Sequence, residues 1–313
     1  MARFIARRLL YLVPILLVVS FVIFSLLLLL PGDPALAILG DYASKAQIAE
    51  LHEKLQLDRP IPIQYLAWLG SLLTGDFGRS LRTRELVSDM LLTRIPVTLE
   101  LTFLSILLSC AIGIPAGIAA ALRRNTWLDV VVSAASMAGV AMPYFWAGLL
   151  LMMFFSVHLG WLPPAGYVPI TVDPLANLKL MIMPTLTVGL TLSALVMRQT
   201  RNAMIQVLSQ DYIRTAKAKG LGSWRIVFRH ALRNALIPIV TVIGLQAGSL
   251  IGGSVVTETM FSLPGLGRMI IEGIFQRDFA PVQASILVIV IGVLMANLLT
   301  DLSYAFLDKK VKI

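Results

Sequence analysis

The feature that most limits how this chain can fold is a series of long apolar runs without a charged residue. Six such runs occupy residues 9 to 30, 101 to 122, 130 to 157, 180 to 197, 234 to 257 and 279 to 300. A helix rises about 1.5 Å per residue, so about 20 residues cross a hydrocarbon layer of about 30 Å. Backbone polar groups find no water in lipid, and a single run satisfies them only as a helix. The pattern predicts an all-α integral membrane protein with six transmembrane helices.

The positive charges are unevenly distributed between the segments that connect these runs. With the N-terminus placed inside, the inner segments hold 16 of the 26 Lys and Arg residues: residues 1 to 8, 122 to 129, 198 to 233 and 301 to 313. The outer segment 31 to 97 holds seven among eight acidic residues. Membrane proteins carry their excess of Lys and Arg on the cytoplasmic side. This distribution indicates that both termini are cytoplasmic, and it accounts for the net charge of +9 without a nucleic-acid partner.

The first apolar run could also be a secretory signal, because Arg3, Arg7 and Arg8 precede it. The run is longer than the apolar core of about 7 to 15 residues that such a signal carries. Pro31-Gly32-Asp33-Pro34 also lacks the small-x-small pattern of a cleavage site. We therefore interpret the run as the first transmembrane helix.

Four parts of the chain follow from this pattern: an N-terminal tip with the first span (1–30), an extracytoplasmic helical segment (31–94), a five-helix core that includes the inner loop 198–235 (95–305), and a basic tail (306–313). The extracytoplasmic segment is predicted to hold two short helices, Ser44 to Leu57 and Ile63 to Leu73, because Ser44 can cap the first and Asp58-Arg59-Pro60 ends it. Gly75-Asp76-Phe77-Gly78 predicts a turn. We expect this segment to cap the outer mouth of the core.

The inner loop from Arg198 to Asn234 is the longest inner connection and is strongly patterned. Ser209 or Asp211 can cap a helix that runs through Lys219, and Gly220-Leu221-Gly222 predicts a break. Ser223 can cap a second helix that continues into the next span. The loop is predicted to be helix, glycine turn, helix.

On the second of these helices, arginines and apolar residues recur every four positions as adjacent stripes. The arginines are Arg225, Arg229 and Arg233, and the apolar stripe is Trp224, Phe228 and Leu232. The spacing predicts one face toward protein or lipid and one charged face toward the cytoplasm. A plain positively charged membrane flank would explain the arginines equally well, but not the glycine break.

Two blocks of this loop resemble a known family. They read Asp211-Tyr212-Ile213-Arg214-Thr215-Ala216-Lys217-Ala218-Lys219-Gly220-Leu221 and His230-Ala231-Leu232-Arg233-Asn234-Ala235, with Pro238 after them. They resemble the cytoplasmic coupling loop of ABC-importer permeases, most closely those for dipeptides, oligopeptides, glutathione and nickel. Four further motifs of the same family follow the same order: Pro31-Gly32-Asp33-Pro34-Ala35, Leu57-Asp58-Arg59-Pro60, Gly75-Asp76-Phe77-Gly78 and Glu258-Thr259-Met260-Phe261-Ser262-Leu263-Pro264-Gly265-Leu266-Gly267.

The resemblance implies a type I ABC-importer permease core in a bacterial cytoplasmic (inner) membrane. It also implies a complex with a homologous second permease subunit, two ABC ATPase subunits and an extracytoplasmic substrate-binding protein. Peptides are the expected substrate, with glutathione, nickel complexes or another small solute as alternatives. No G-x-x-x-x-G-K-[ST] loop is present in the chain, so ATP and Mg are expected in the ATPase subunits.

In this family the coupling loop carries a Glu-Ala-Ala-x-x-x-Gly signature, whose short helix docks in a groove of the ATPase. Aligned on Gly220, this chain has Arg214, Thr215 and Ala216 in the first three places, so only the second alanine and the glycine match. Arg214 and Lys217 are therefore expected to face acidic groups of the ATPase. The residues implied in coupling are Asp211, Tyr212, Arg214, Thr215, Ala216, Lys217, Gly220 and Leu221.

The fifth apolar run combines a stripe of small residues with polar side chains. Gly244, Gly248 and Gly252 recur every four residues, which lets another backbone approach closely. Two readings stay open: static helix packing, or a helix that lines the translocation path at the interface with the second permease. The residues predicted for the path or that interface are Gly244, Gln246, Gly248, Ser249, Gly252 and Glu258.

Few other residues suggest chemistry. Glu100 lies about one turn inside the second span, where an unpaired charge is costly. We expect it to pair with Arg94 or to reach the outer surface, and contact with a substrate amine is the alternative. Prolines interrupt four spans and favour kinks at residues 115, 143, 184 and 238.

A metal site or an enzymatic site is not expected. The histidines His52, His158 and His230 lack ligand spacing, and no nucleophile stands beside a base. Cys110 is expected to be a small packing residue. An ion-coupled secondary transporter is the alternative to an ABC permease, but its ionisable residues at the membrane midplane are missing from the apolar runs.

Overall fold

The computed structural model describes residues 2–29, 44–46 and 59–307. The described residues form helices and turns, with one isolated bridge between Arg79 and Leu86. In chain order the helices are α1 (Ala2–Leu29), α2 (Ile61–Leu73), α3 (Val87–Leu122), α4 (Trp127–Ala141), α5 (Tyr144–Leu151, followed by a π-helical turn over Met152–His158), α6 (Pro174–Leu208), α7 (Asp211–Ala218), α8 (Ser223–Gly253, π-helical over Ile226–Ala231), α9 (Val255–Met260), α10 (Leu266–Gln276) and α11 (Phe279–Leu307).

The described helices confirm the predicted fold class. Five of them are long and apolar enough to cross a membrane (α1, α3, α6, α8 and α11), and the bent pair α4–α5 makes a sixth if counted as one span. The predicted outer helix from Ile63 to Leu73 is also confirmed as α2, which begins at Ile61 because Pro60 and Pro62 suit the first turn of a helix. The predicted helix from Ser44 to Leu57 lies almost wholly outside the described residues.

The kink predicted at Pro143 is confirmed, and it divides the third span into two helices. α4 and α5 meet at Met142 and Pro143 with a bend of 98°. Pro143 has no amide hydrogen to donate, and it holds Met142 in an extended conformation with ψ of 122°. The other three prolines, at positions 115, 184 and 238, lie inside α3, α6 and α8 without ending them.

Several helices extend beyond the apolar runs that predict them. α6 begins at Pro174, where the Asp173 carboxylate accepts hydrogen bonds from the amides of Leu175 and Ala176 at 3.0 Å each. It ends at Leu208, eleven residues after the run that ends at 197. α8 ends at Gly253, before the predicted end at 257, and Ser254 separates it from α9. Apolar runs mark the part of a helix that lies in lipid, whereas packing on protein determines where it ends.

The chain forms two compact units. The core unit comprises residues 98–263 and the chain from residue 292 onward, and the second unit comprises residues 2–97 and 264–291. In the core unit α6 is the central helix, because it contacts α4, α5 and α8 and is the most buried of the candidate spans.

In the second unit, the turn after α2 is held against the start of α11. Gly75 and Gly78 adopt left-handed conformations with φ of +83° and +80°, which confirms the predicted turn. Ser80 donates its hydroxyl hydrogen to the Asp278 carboxylate, and the Leu81 amide donates to the same carboxylate at 3.0 Å. The polar atoms of Asp278, which is 4% exposed, are thus satisfied by the turn.

The expected ion pair between Arg94 and Glu100 does not form. Arg94 instead lies 3.5 Å from Glu272 on α10, which also accepts a hydrogen bond from Arg268 at 2.7 Å. Residues six apart lie on different faces of a helix, so α3 does not bring Arg94 and Glu100 together.

Candidate functional site

The predicted coupling helix is present as α7, and it is anchored to the core unit by one apolar side chain. Ile213 is fully buried in an apolar cluster to which α3, α6 and α8 contribute. Ala216 and Leu221 pack partly against the same cluster. Burial of a side chain of this size stabilises the attachment by about 1.5–3 kcal/mol. α7 is therefore fixed to the ends of two candidate spans, α6 and α8.

The glycine break after α7 is a left-handed helix cap. Gly220 has φ of +76°, and its amide donates to the Lys217 carbonyl at 2.9 Å. The Leu221 amide donates to the Ala216 carbonyl at 3.3 Å. These two bonds form a Schellman motif, and Ala216 and Leu221 each pack against the apolar cluster. The motif confirms the predicted turn at Gly220 and gives Ala216 and Leu221 a structural role.

The caps predicted for the two loop helices are wrong. α7 is preceded by Gln210, which makes no side-chain capping bond, and the Ser209 hydroxyl donates to the Gln206 carbonyl instead. Gly222 precedes α8, and Ser223 lies inside its first turn. Serine caps a helix only when its backbone is extended, and the backbone at Ser209 is already helical.

The remaining coupling residues form an exposed polar surface. Tyr212 accepts a hydrogen bond from the Asn234 side chain at 2.8 Å, which ties α7 to α8. Arg214 pairs with Asp211 at 3.2 Å, and both side chains are more than three-quarters exposed. Such a pair contributes no more than about 1 kcal/mol. Thr215 and Lys217 are exposed as well, so this surface is open to a protein partner.

The apolar stripe at the start of α8 does not face the protein. Ile226, Val227 and Ala231 are the buried residues of this segment. Trp224 and Phe228 are exposed and stack on each other with ring centroids 4.0 Å apart. They line a surface groove together with the arginines of the adjacent stripe, Arg225, Arg229 and Arg233. The apolar stripe therefore does not pack on the described protein, and its position against lipid stays a prediction.

A buried ion pair near α7 was not predicted from the sequence. The Arg201 guanidinium on α6 makes two hydrogen bonds to the Asp129 carboxylate on α4, with the Nη2 to Oδ2 distance 2.8 Å. The Asn125 amide donates to the same carboxylate at 3.0 Å. This arrangement joins the turn between α3 and α4 to the last part of α6. In the sequence, Asp129 stands directly before one apolar run and Arg201 shortly after another. Such positions indicate that each charge needs a partner, but they do not identify it.

The six residues predicted for the path fall into four separate environments. Gln246 and Ser249 line a cavity of about 260 Å³ in the core unit, with Tyr144, Thr191 and Thr257 as further polar residues. The Thr257 side chain is buried, and its hydroxyl has no hydrogen-bond partner among the described residues. The cavity lining contains no charged residue. Hydroxyl and amide groups in such a cavity can hydrogen-bond to a polar molecule.

The glycine stripe divides between packing and exposure. A Cβ atom at Gly244 would overlap Thr300 on α11, and one at Gly248 would lie 3.3 Å from Val293 on the same helix. These two glycines allow close packing of α8 on α11 within the chain. For them, this favours static helix packing over a place in the translocation path. Gly252 is exposed and stays in the prediction of a path or an interface.

Glu258 is a buried polar centre and not a cavity-lining residue. It is fully buried, and its Oε1 atom accepts hydrogen bonds from Thr98 at 2.7 Å and Ser254 at 2.8 Å. Its carbonyl accepts a bond from the Leu263 amide at 2.8 Å. Glu258 thus holds together the break between α8 and α9 and the turn that follows α9. The structure gives it a structural role.

Glu100 finds its partner in the loop before α6. The Tyr167 hydroxyl donates to Glu100 Oε2 at 2.8 Å. Burial, together with the Glu100 carboxylate, raises the pKa of Tyr167 above its ordinary range, so the phenol stays protonated. The other oxygen, Oε1, is buried without a hydrogen-bond partner among the described residues. Contact of this oxygen with a substrate amine remains a prediction.

Two family models together match almost the whole chain. Residues 113–313 match the binding-protein-dependent transport system inner membrane component. Residues 1–102 match the N-terminal part of the membrane component of the same transport systems. The described helices that carry the coupling surface and the cavity lie mainly in the first of these regions.

Curated relatives match the chain from end to end. The dipeptide transport system permease protein of Alkalihalophilus pseudofirmus is 40% identical, with 100% of both chains covered. The di/tripeptide transport system permease protein of Pseudomonas aeruginosa is 41% identical, over 100% of this chain and 99% of the relative. The glutathione transport system permease protein of Salmonella choleraesuis is 40% identical, over 100% of this chain and 99% of the relative.

A solved structure shares the fold. An inward-facing form of the MetNI methionine ABC transporter aligns with a TM-score of 0.59 at 21% identity, covering 70% of this chain and 96% of that chain. Together with the end-to-end matches, this similarity confirms the predicted family. The chain belongs to the binding-protein-dependent transport system inner membrane components, the membrane-spanning permease subunits of ABC importers, which hydrolyse ATP in separate subunits.

Proposed function

We propose that this chain forms half of the translocation path of a peptide importer in a bacterial inner membrane, with both termini cytoplasmic. The observation that carries the proposal is the exposed polar surface of α7, attached to α6 and α8 through Ile213. The family and the end-to-end similarity to dipeptide permeases support it. The proposed complex contains a homologous second permease, two ABC ATPase subunits that bind ATP and Mg, and an extracytoplasmic substrate-binding protein.

In this mechanism, movement of the ATPase subunits pushes on the exposed residues of α7. Because Ile213 and Leu221 are held in the apolar cluster, the push reaches α6 and α8 as a rigid displacement. α8 carries Gln246 and Ser249, so the same movement would reshape the cavity that they line. We propose that this cavity is part of the path.

The ATPase contact can be tested without disturbing the anchor of α7. Arg214→Glu and Lys217→Glu change exposed side chains, whereas changes at Ala216 or Gly220 would also alter the Schellman motif. We expect both variants to lose the ATPase on co-purification and to lose ATP-driven uptake. Arg82→Glu, an equally exposed change in the turn before α3, is the matched control and should retain both. Retention of the ATPase by a variant that carries both Arg214→Glu and Lys217→Glu would contradict the proposal.

The path can be tested at Gln246. Gln246→Leu keeps the approximate volume but removes the amide, so we expect slower uptake at saturating substrate with normal ATPase binding. Leu245→Gln, on an exposed neighbouring position, is the control for a polar change on the same helix. Unchanged uptake in the Gln246→Leu variant would exclude this side chain from the path.

Glutathione is the second candidate substrate, because a glutathione permease is as similar to this chain as the dipeptide permeases are. Uptake of a labelled dipeptide in competition with glutathione separates the two. An ion-coupled mechanism is tested by the same preparation: uptake in liposomes with no ATPase present would contradict the ABC mechanism.

A further inference from the structure

Helix α2 has an unusual composition for a segment outside the apolar runs. Its thirteen residues, Ile61–Leu73, contain no charged side chain. Its polar side chains bond to protein: Tyr65 to the Leu17 carbonyl and Ser20, Gln64 to the Arg59 carbonyl, and Ser71 to the Ala67 carbonyl. These side chains therefore do not depend on water for their hydrogen bonds.

α2 lies beside the candidate span of α1 and not beyond its end. The Tyr65 ring packs on Phe21 and Phe24 with centroid distances of 5.3 and 5.7 Å. The other end of α2, at Leu72 and Leu73, lines an apolar groove of about 370 Å³ with residues of α1 and α11. On α1 these residues include Val13, Leu16 and Leu17, which lie within the apolar window Ala6–Ser25. The contacts of Tyr65 thus place α2 against α1 from Leu17 to Phe24, which is about 10 Å at the C-terminal end of the apolar window Ala6–Ser25.

The outward face of α2 is apolar and uncovered by the described protein. Leu66 is 63% exposed and Leu73 is 83% exposed, and none of the thirteen residues is buried. Only 17% of the adjacent α1 window is buried, so most of the apolar side chains of α1 are uncovered by the described protein as well. An apolar surface continuous with a transmembrane helix is covered by lipid in a membrane protein.

We propose that α2 is embedded in the hydrocarbon layer, with its outward face against lipid acyl chains. This position differs from the one that the sequence predicts, where the helix caps the outer mouth of the core in water. Its backbone is compatible with lipid because helical hydrogen bonds satisfy its interior amides and carbonyls. The polar residues at its two ends, Arg59 and Asp76, mark where the chain enters and leaves the layer. The proposal needs only the membrane location of α1 and is independent of the substrate.

The test uses single cysteines in opened membranes, with Cys110, the only cysteine, replaced by Ser. Leu66→Cys and Leu73→Cys report on the outward face of α2, and Thr83→Cys, exposed in the turn before α3, reports on water. A charged maleimide reacts with the thiolate, which does not form in hydrocarbon. We therefore expect Thr83→Cys to react at least about tenfold faster than either α2 variant. All three should react equally after unfolding in denaturant.

A second measurement separates lipid from a covering protein. Each cysteine is labelled with bimane in detergent, and the protein is returned to vesicles whose acyl chains carry bromine. Quenching of the Leu66 and Leu73 adducts, with little quenching at Thr83, supports the proposal. Rapid maleimide labelling of Leu66→Cys would overturn it by placing α2 in water. Protection without bromine quenching would also overturn it, because another subunit would then cover the helix.

Discussion

Single residues in the coupling segment owe their roles to backbone geometry as much as to chemistry. Gly220 matters because its left-handed conformation lets two amides close the end of α7. Arg214 has an acidic neighbour within the same helix turn, so its in-chain contact is weak and leaves the guanidinium open to a partner. The structure therefore distinguishes two kinds of residue: Gly220 closes the end of α7, whereas the side chain of Arg214 is exposed on its surface.

Replacing Gly220 by alanine tests the cap. Ala in the left-handed region costs about 1–2 kcal/mol, so we expect Gly220→Ala to lower the thermal stability of the purified complex and its uptake rate. Gly220→Asn should lose less, since Asn tolerates this conformation. Gly222→Ala is the matched control, because Gly222 has φ of −62° and open space around it. Equal stability of the Gly220→Ala and Gly222→Ala variants would contradict the assigned cap.

Replacing Gly244 by alanine tests the close approach of α8 and α11. The added methyl group would overlap Thr300, and overpacking of this kind costs about 1–3 kcal/mol. We expect reduced thermal stability and reduced recovery of folded protein from membranes. At Gly253, on the same helix, an added Cβ atom meets nothing within 4 Å, so Gly253→Ala should be close to wild type in both measurements.

At the level of elements, α6 connects the buried ion pair with the coupling helix. Arg201 lies seven residues before the end of α6, and Asp129 lies in the first turn of α4. Two hydrogen bonds of the guanidinium are made to the Asp129 carboxylate, so the pair sets the position of α4 against α6. Its position, about two turns before the end of α6, suits transmission of movement from α7.

A double-mutant cycle tests this pair. Arg201→Gln leaves the Asp129 carboxylate, which is 4% exposed, without its cation, and we expect a loss of about 2–4 kcal/mol in unfolding free energy. Asp129→Asn should cost a similar amount. The double variant should lose clearly less than the sum of the two single variants, because neither charge remains unpaired. Additive losses would show that the two side chains do not interact.

At the level of the whole molecule, the protein carries a coupling surface and a polar cavity but no phosphate loop in its sequence. The energy source must therefore be supplied by another chain. In the proposed mechanism, the membrane-spanning helices provide the path, and the ATPase subunits act on α7.

A reconstitution experiment tests whether ATP-driven uptake requires the separate ATPase subunits. The two permease subunits in liposomes, without ATPase subunits, should show no ATP-driven uptake above the background of empty liposomes. Adding the ATPase subunits and the substrate-binding protein should restore uptake that depends on ATP and Mg. Arg82→Glu and wild type should respond alike, whereas the variant with both Arg214→Glu and Lys217→Glu should not respond.

The sequence by itself determined the membrane class, the approximate position of the six spans and the turn at Gly220. These features depend on local chemistry: apolar runs long enough to cross lipid, and a glycine where the backbone turns left-handed. It also placed a proline at position 143, although not the 98° bend that the proline allows.

Only the tertiary structure decided which residues meet. Asp129 and Arg201 are 72 positions apart, Arg94 pairs with Glu272, and Glu100 meets Tyr167. The positions of the other helices likewise determine which stripe of α8 is buried. They also determine whether a glycine of α8 faces α11 or the exterior. Burial and pairing are properties of several segments together, so no pattern within one segment can specify them.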